Sequence, residues 1–212
     1  MNRNEEVILI DGPVGAIETL VENPGAPRGI ALVCHPHPLF GGANTNKVTH
    51  ALARTFTRMD YVSLRPNFRG VGGSAGKHDE GRGETEDMLA VLAEARRRFG
   101  DLPVALAGFS FGAYVQTRVA QALAEAGHPA QRLVLVGTAA GHVEGARKYE
   151  TGAVASDAIV IHGAHDETVP LANVLSWAEP LDLPVIVVPG ADHFFHRRLH
   201  VIRDIVTRAW RH

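Results

Sequence analysis

Short apolar runs alternate with longer stretches of mixed polarity along most of the chain. The runs fall at residues 29–34, 61–64, 104–107, 133–136, 158–161 and 185–188. Nearly continuous apolar runs of this length suit strands covered on both faces, as in a parallel sheet; half-exposed strands would alternate instead. The stretches between them, 46–59, 84–99, 111–125, 169–178 and 195–210, are compatible with helices. Within 84–99, Met88, Leu89, Val91 and Leu92 recur at helical spacing, and Arg96, Arg97 and Arg98 suit the negative end of a helix dipole. Two earlier segments, 6–10 and 16–21, are separated by the turn formers Asp11, Gly12 and Pro13 and predict an antiparallel pair at a sheet edge. The pattern predicts an α/β fold, a mostly parallel central sheet with helices on both faces and right-handed crossovers. With no internal repeat, low-complexity tract or long polar linker, residues 1–212 read as one domain. Ligands in such folds collect at the carboxyl ends of the strands, so the residues after each run are the place to look for chemistry.

Composition narrows the picture. A chain of 212 residues, 45% of them hydrophobic, can bury a substantial core without disulfides or a structural metal. The net charge of −2, with both signs mixed along the chain, gives no basic stripe for nucleic acid or an anionic membrane. Cys34 is the single cysteine, so no intrachain disulfide can form, in keeping with a reducing cytoplasm. The first residues pass directly into a strand-like stretch, and no apolar segment has secretory or membrane-spanning length. The expectation is a cytoplasmic protein with no membrane insertion. Twelve histidines put metal binding on the table.

Four strand ends carry candidate chemistry. The run 104–107 leads through Gly108-Phe-Ser110-Phe-Gly112 into the helical stretch 111–125. That G-x-S-x-G pattern is weak alone, but between a strand and a helix it describes a sharp turn that lifts a serine hydroxyl clear of the backbone. Asp166 follows the run 158–161 and precedes the helix near Pro170; Glu167 is set aside because the loop would turn it away. His193 follows the run 185–188 and can reach back toward both. Nucleophile Ser110, acid Asp166 and base His193 then occur in the chain order of α/β-hydrolases, each after its own strand. Acyl transfer also needs backbone N–H donors for a tetrahedral oxyanion. One is expected from Phe111 and the other from the loop after 29–34. There Pro36 and Pro38 have no N–H, leaving His37 and Leu39, with His37 nearer the strand end. Arg69, in a glycine-rich loop without a dinucleotide fingerprint, reads as half of a structural ion pair, and Cys34 as a buried inert thiol. The connection 138–157 is too short for a large cap, which points to an open site for small or partly exposed acyl substrates.

Two other readings compete. His35, His37, His162, His165, Asp166 and His193 have spacings compatible with a metal-dependent hydrolase, though a metal leaves the serine turn unexplained. A non-catalytic binding module of the same fold is the second.

The motifs HPHPLFGG, NFRGVGGSAG, GFSFG, HGAHDETVP and GADHFF together resemble small cap-less bacterial α/β-hydrolases related to the dienelactone hydrolase family, from about Gly29 to about Phe195. The resemblance implies an α/β-hydrolase fold and a triad on Ser110, Asp166 and His193. It also implies a second oxyanion donor at His37; such a triad needs no cofactor or metal, and the connection too short for a cap points to a small-molecule ester or thioester as substrate. Dienelactone hydrolases proper carry a cysteine nucleophile and a glutamate after the oxyanion strand, where this chain has Ser110 and Pro36.

Overall fold

The computed structural model describes residues 5–143, 145 and 147–210; the leading residues 1–4, two residues of the 138–157 connection and the last two residues lie outside the described residues. Its centre is an eight-stranded sheet. The strands are β1 (Glu5–Gly12), β2 (Gly15–Glu22), β3 (Gly29–Cys34), β4 (Tyr61–Pro66), β5 (Val104–Phe109), β6 (Arg132–Val136), β9 (Ile159–Gly163) and β10 (Val185–Val188). They lie in the order β1-β2-β4-β3-β5-β6-β9-β10. β1 and β2 form the expected antiparallel pair at one edge, β2 meets β4 antiparallel, and every pairing from β4 to β10 is parallel.

Helices α2 (Arg82–Phe99), α3 (Phe111–Glu125) and α4 (Leu171–Ala178) cover one face, and α1 (Lys47–Thr57) with α5 (Leu199–Ala209) covers the other. The two-residue period of a strand sorts side chains between these layers. Ile30, Leu32 and Cys34 of β3 join Met88, Val91 and Val115 on one side, while Ala31 and Val33 join Leu52, Phe56 and Ile202 on the other. Burial on both faces explains why the central strands read as unbroken apolar runs. On the second face Tyr61, Phe56 and Trp210 pack edge to face, and the Trp210 indole N–H donates to the Tyr61 hydroxyl at 3.2 Å.

The connection between β6 and β9 holds a two-stranded hairpin, β7 (Gly141–Val143) and β8 (Arg147–Tyr149), and no cap domain. The Asn173 amide of α4 donates to the Ala140 and His142 carbonyls, and the Trp177 indole donates to Gly152 O, tying the connection down.

Most elements match the expected positions within one to three residues; the last helix is a larger departure. It begins at Leu199 rather than near 195, because Phe195 and Arg197 adopt left-handed φ of 50° and 60°. The Asp192 carboxylate accepts from the His196 amide and pairs with its ring, closing the chain into a turn there. Among the described residues no helix is long and apolar enough to cross a membrane.

Candidate active site

Ser110 sits at the junction of β5 and α3 with φ 56° and ψ −118°, outside the conformations L-residues favour. Its N–H donates to Val136 O of neighbouring β6 at 2.8 Å, and its carbonyl accepts from Ala113 and Tyr114, so the turn is pinned from both sides. The flanking glycines are demanded by close approach. A Cβ on Gly108 would meet the backbone of Gly112 and Ala113, and one on Gly112 would meet the carbonyls of Cys34 and His35 at the end of β3. Side chains at either place would push α3 off the sheet.

Asp166 follows β9 and is buried. One of its carboxylate oxygens accepts from the Thr168 and Val169 amides at 3.0 and 2.8 Å; the other lies 2.7 Å from His193 Nδ1. A carboxylate held by two amides keeps its orientation. His193 follows β10, and its Nε2 lies 3.1 Å from Ser110 Oγ. The Asp166 loop and the His193 loop are stitched together, because His165 N donates to Ala191 O and the hydrogen face of Gly163 packs on the Ala191 carbonyl. Phe109 stacks on the His193 ring at a 4.8 Å centroid distance, and Phe194 meets it edge-on. If His193 carries its proton on Nδ1 toward Asp166, Nε2 is free to accept one from the serine hydroxyl.

The loop after β3 is held by His35, which is fully buried. Its Nε2 accepts the Phe68 N–H at 2.9 Å, so its Nδ1 carries the proton and donates to Pro36 O at 2.7 Å. Burial holds its pKa down to about 4, partly offset by the Pro36 carbonyl. Pro38 opens a short 3₁₀ turn closed by Phe40 and Gly42 amides on His37 O. The backbone N–H groups of His37 and Phe111 donate to no protein acceptor among the described residues, and the two side-chain rings lie 4.9 Å apart. Burial, then His78 and Arg147, bring the His37 pKa down to about 4.

The structure thus brings Ser110, Asp166, His193, Phe111 and His37 to one sheet edge, and leaves Glu167 exposed. The residues weighed for a metal do not form a ligand set: among the described residues no group of three His, Cys, Asp or Glu side chains is arranged to hold one, and His165 points to solvent. Cys34 is buried, with burial pushing its thiol pKa far up, and Arg69 pairs through two hydrogen bonds with buried Asp87 of α2.

Two neighbours were not anticipated in these roles. His162, in β9, donates from Nε2 to Val169 O at 2.9 Å and lies 3.4 Å from the Asp166 carboxylate; a lone histidine in an otherwise apolar strand, four residues before the acid, was the available signal. His78 donates to the buried Glu84 carboxylate at 2.7 Å and stacks beside His37 and Phe111. On the rim, the Arg147 guanidinium lies over the Phe40 ring, and Tyr149 packs against Phe111 and Tyr114.

A thioesterase-domain family model matches residues 52–181. The uncharacterized protein RP471 of Rickettsia prowazekii is 35% identical over 202 residues, covering 89% of this chain and 81% of that protein. Among solved structures, an α/β serine hydrolase homologue from Coxiella burnetii superposes with a TM-score of 0.85 at 36% identity, covering 97% of each chain. XC6422 from Xanthomonas campestris, a member of the α/β serine hydrolases without a lid, superposes with a TM-score of 0.86 at 34% identity, over 99% of this chain and 94% of that one.

Proposed function

Because the chain belongs to the thioesterase-domain family and has the α/β-hydrolase fold without a cap, we propose that it is a serine hydrolase cleaving a small carboxylic ester or thioester through an acyl-enzyme on Ser110. The observation that carries this is the unbroken series Ser110 Oγ to His193 Nε2 at 3.1 Å and His193 Nδ1 to Asp166 at 2.7 Å.

In the proposed cycle, Ser110 Oγ attacks the acyl carbon as its proton passes to His193 Nε2. Asp166 keeps the imidazole in the Nδ1–H tautomer and stabilises the imidazolium that forms. The carbonyl oxygen, now anionic, is received by the Phe111 and His37 amides, aided by the N-terminus of α3. His193 then gives its proton to the departing alcohol or thiol. Water, deprotonated by the same nitrogen, attacks the acyl-serine, and the proton returns to Ser110 as the acid leaves. The absence of a cap domain favours substrates whose acyl or leaving group stays partly in solvent. No step calls for a cofactor, nucleic acid or membrane insertion.

The test is fluorophosphonate labelling of wild type and Ser110→Ala, with the modified residue located by mass spectrometry and turnover of p-nitrophenyl acetate measured in parallel. Labelling of Ser110 in the wild type, with turnover falling by at least about 10³-fold in Ser110→Ala, is expected. A folded wild type that resists the probe, or a Ser110→Ala variant that still turns over, would reject the reading and favour a binding module.

A further inference from the structure

We propose that His162 is a positioning residue for the triad, a buried donor that clamps the turn carrying Asp166 and so fixes the carboxylate against His193. The inference rests on the triad reading given above and assigns a role to a side chain which that mechanism does not use.

The geometry determines which nitrogen of His162 carries hydrogen. Nε2 lies 2.9 Å from Val169 O, and a carbonyl can only accept, so Nε2 is the protonated nitrogen. That same nitrogen lies 3.4 Å from the Asp166 oxygen that His193 uses, while its hydrogen is committed to Val169 O. Val169 in turn donates its own N–H to the other Asp166 oxygen at 2.8 Å. His162 therefore holds the carbonyl of the residue whose amide holds the acid. It lies beside one carboxylate oxygen and acts on the other through the turn.

The remaining nitrogen makes the case for function. His162 is completely buried, and its Nδ1 has no hydrogen-bond partner among the described residues. An orphaned polar atom in a core is a cost to folding that a leucine of similar volume would remove. The bond to Val169 O offsets part of that cost, and orientation of Asp166 supplies a further reason to keep an imidazole there. Burial, opposed by Asp166 and the Val169 carbonyl, pushes its pKa down, which keeps the ring neutral beside the carboxylate.

The experiment compares His162→Leu and His162→Gln with the wild type, with Ser110→Ala as control, using p-nitrophenyl acetate. Gln can present an amide N–H where Nε2 stands; Leu cannot. His162→Leu is expected to lose about 10- to 100-fold in kcat with KM changed less than about twofold, because the acid is displaced while the acyl site is intact. His162→Gln should recover most of that loss. The melting temperature of His162→Leu should stay within about 5 °C of wild type, since the orphaned nitrogen leaves with the donor. Independently of any variant, ¹⁵N spectra of wild-type imidazoles should show His162 neutral and protonated on Nε2 at pH 7. A His162→Leu enzyme with wild-type kcat, a Gln variant no better than Leu, or an Nδ1–H or charged His162 would overturn the proposal. Turnover surviving in Ser110→Ala would instead overturn the triad itself, so the two failures are distinguishable.

Discussion

His35 is a structural histidine with a pH signature. Both of its ring nitrogens serve the backbone, one accepting from Phe68 and one donating to Pro36, and this joins the loop after β3 to the loop after β4. The folded state holds its pKa at about 4 against an ordinary 6.5, with burial as the main cause. The unfolded chain therefore takes up a proton near pH 6.5 that the folded chain refuses until about pH 4. The stabilisation is fully present above pH 6.5 and lost progressively as pH falls through that window, a contribution of about 3 kcal/mol in all. Urea unfolding of the wild type at a series of pH values between 7.5 and 4.5 should show that fall. His35→Gln, which can keep both hydrogen bonds without titrating, should be the flatter of the two. Equal slopes for the two proteins would remove His35 as the cause and leave the other buried histidines to explain any acid sensitivity.

At the level of elements, the site depends on how closely α3 approaches the end of β3. Gly112 places its hydrogen face on the Cys34 and His35 carbonyls, and these are main-chain atoms that cannot rotate aside. Gly112→Ala is expected to cost about 3 kcal/mol, since the methyl must displace helix or strand. It should also slow fluorophosphonate labelling at temperatures where the protein is still folded, because Phe111 and Ser110 move with the helix. A variant melting within about 1 °C of wild type would show that the turn yields at little cost. The convergence behind this prediction was legible in the sequence: each of Ser110, Asp166 and His193 follows its own apolar run, and a parallel sheet brings such run ends to one edge. Less legible were features stabilised by distant partners. The β7–β8 hairpin has strands of three residues that carry no pattern of their own and depend on Asn173 and Trp177, about thirty residues on. The late start of α5 follows from the Asp192 carboxylate capturing His196, which competes locally with helix formation. His162 was visible only as a possible metal ligand, because spacing cannot tell which way a strand residue faces its neighbours' loops.

Across the whole molecule, two apolar layers on opposite faces of one sheet share every central strand. α2, α3 and α4 close one layer, and α1 and α5 close the other. Since the same backbone contributes alternate side chains to both, neither layer can be lost while the other keeps its strands in register. We propose that residues 1–212 form one domain, which predicts one cooperative transition, and the two tryptophans are placed to test it. Trp177 packs against the first layer and hydrogen-bonds the 138–157 connection; Trp210 is buried in the second, against Phe56 and Tyr61. In Trp210→Phe the remaining fluorescence reports the first layer, and in Trp177→Phe the second. Each variant serves as its own reference, because Trp210→Phe also loses the bond to Tyr61 and shifts the overall midpoint. Fluorescence and far-ultraviolet circular dichroism should therefore coincide in guanidinium within about 0.2 M for each variant taken separately. If the Trp177 signal changed well before the dichroism, the hairpin side of the molecule would be an independent unit. Openings at the acid loop would then no longer be coupled to the loss of the sheet.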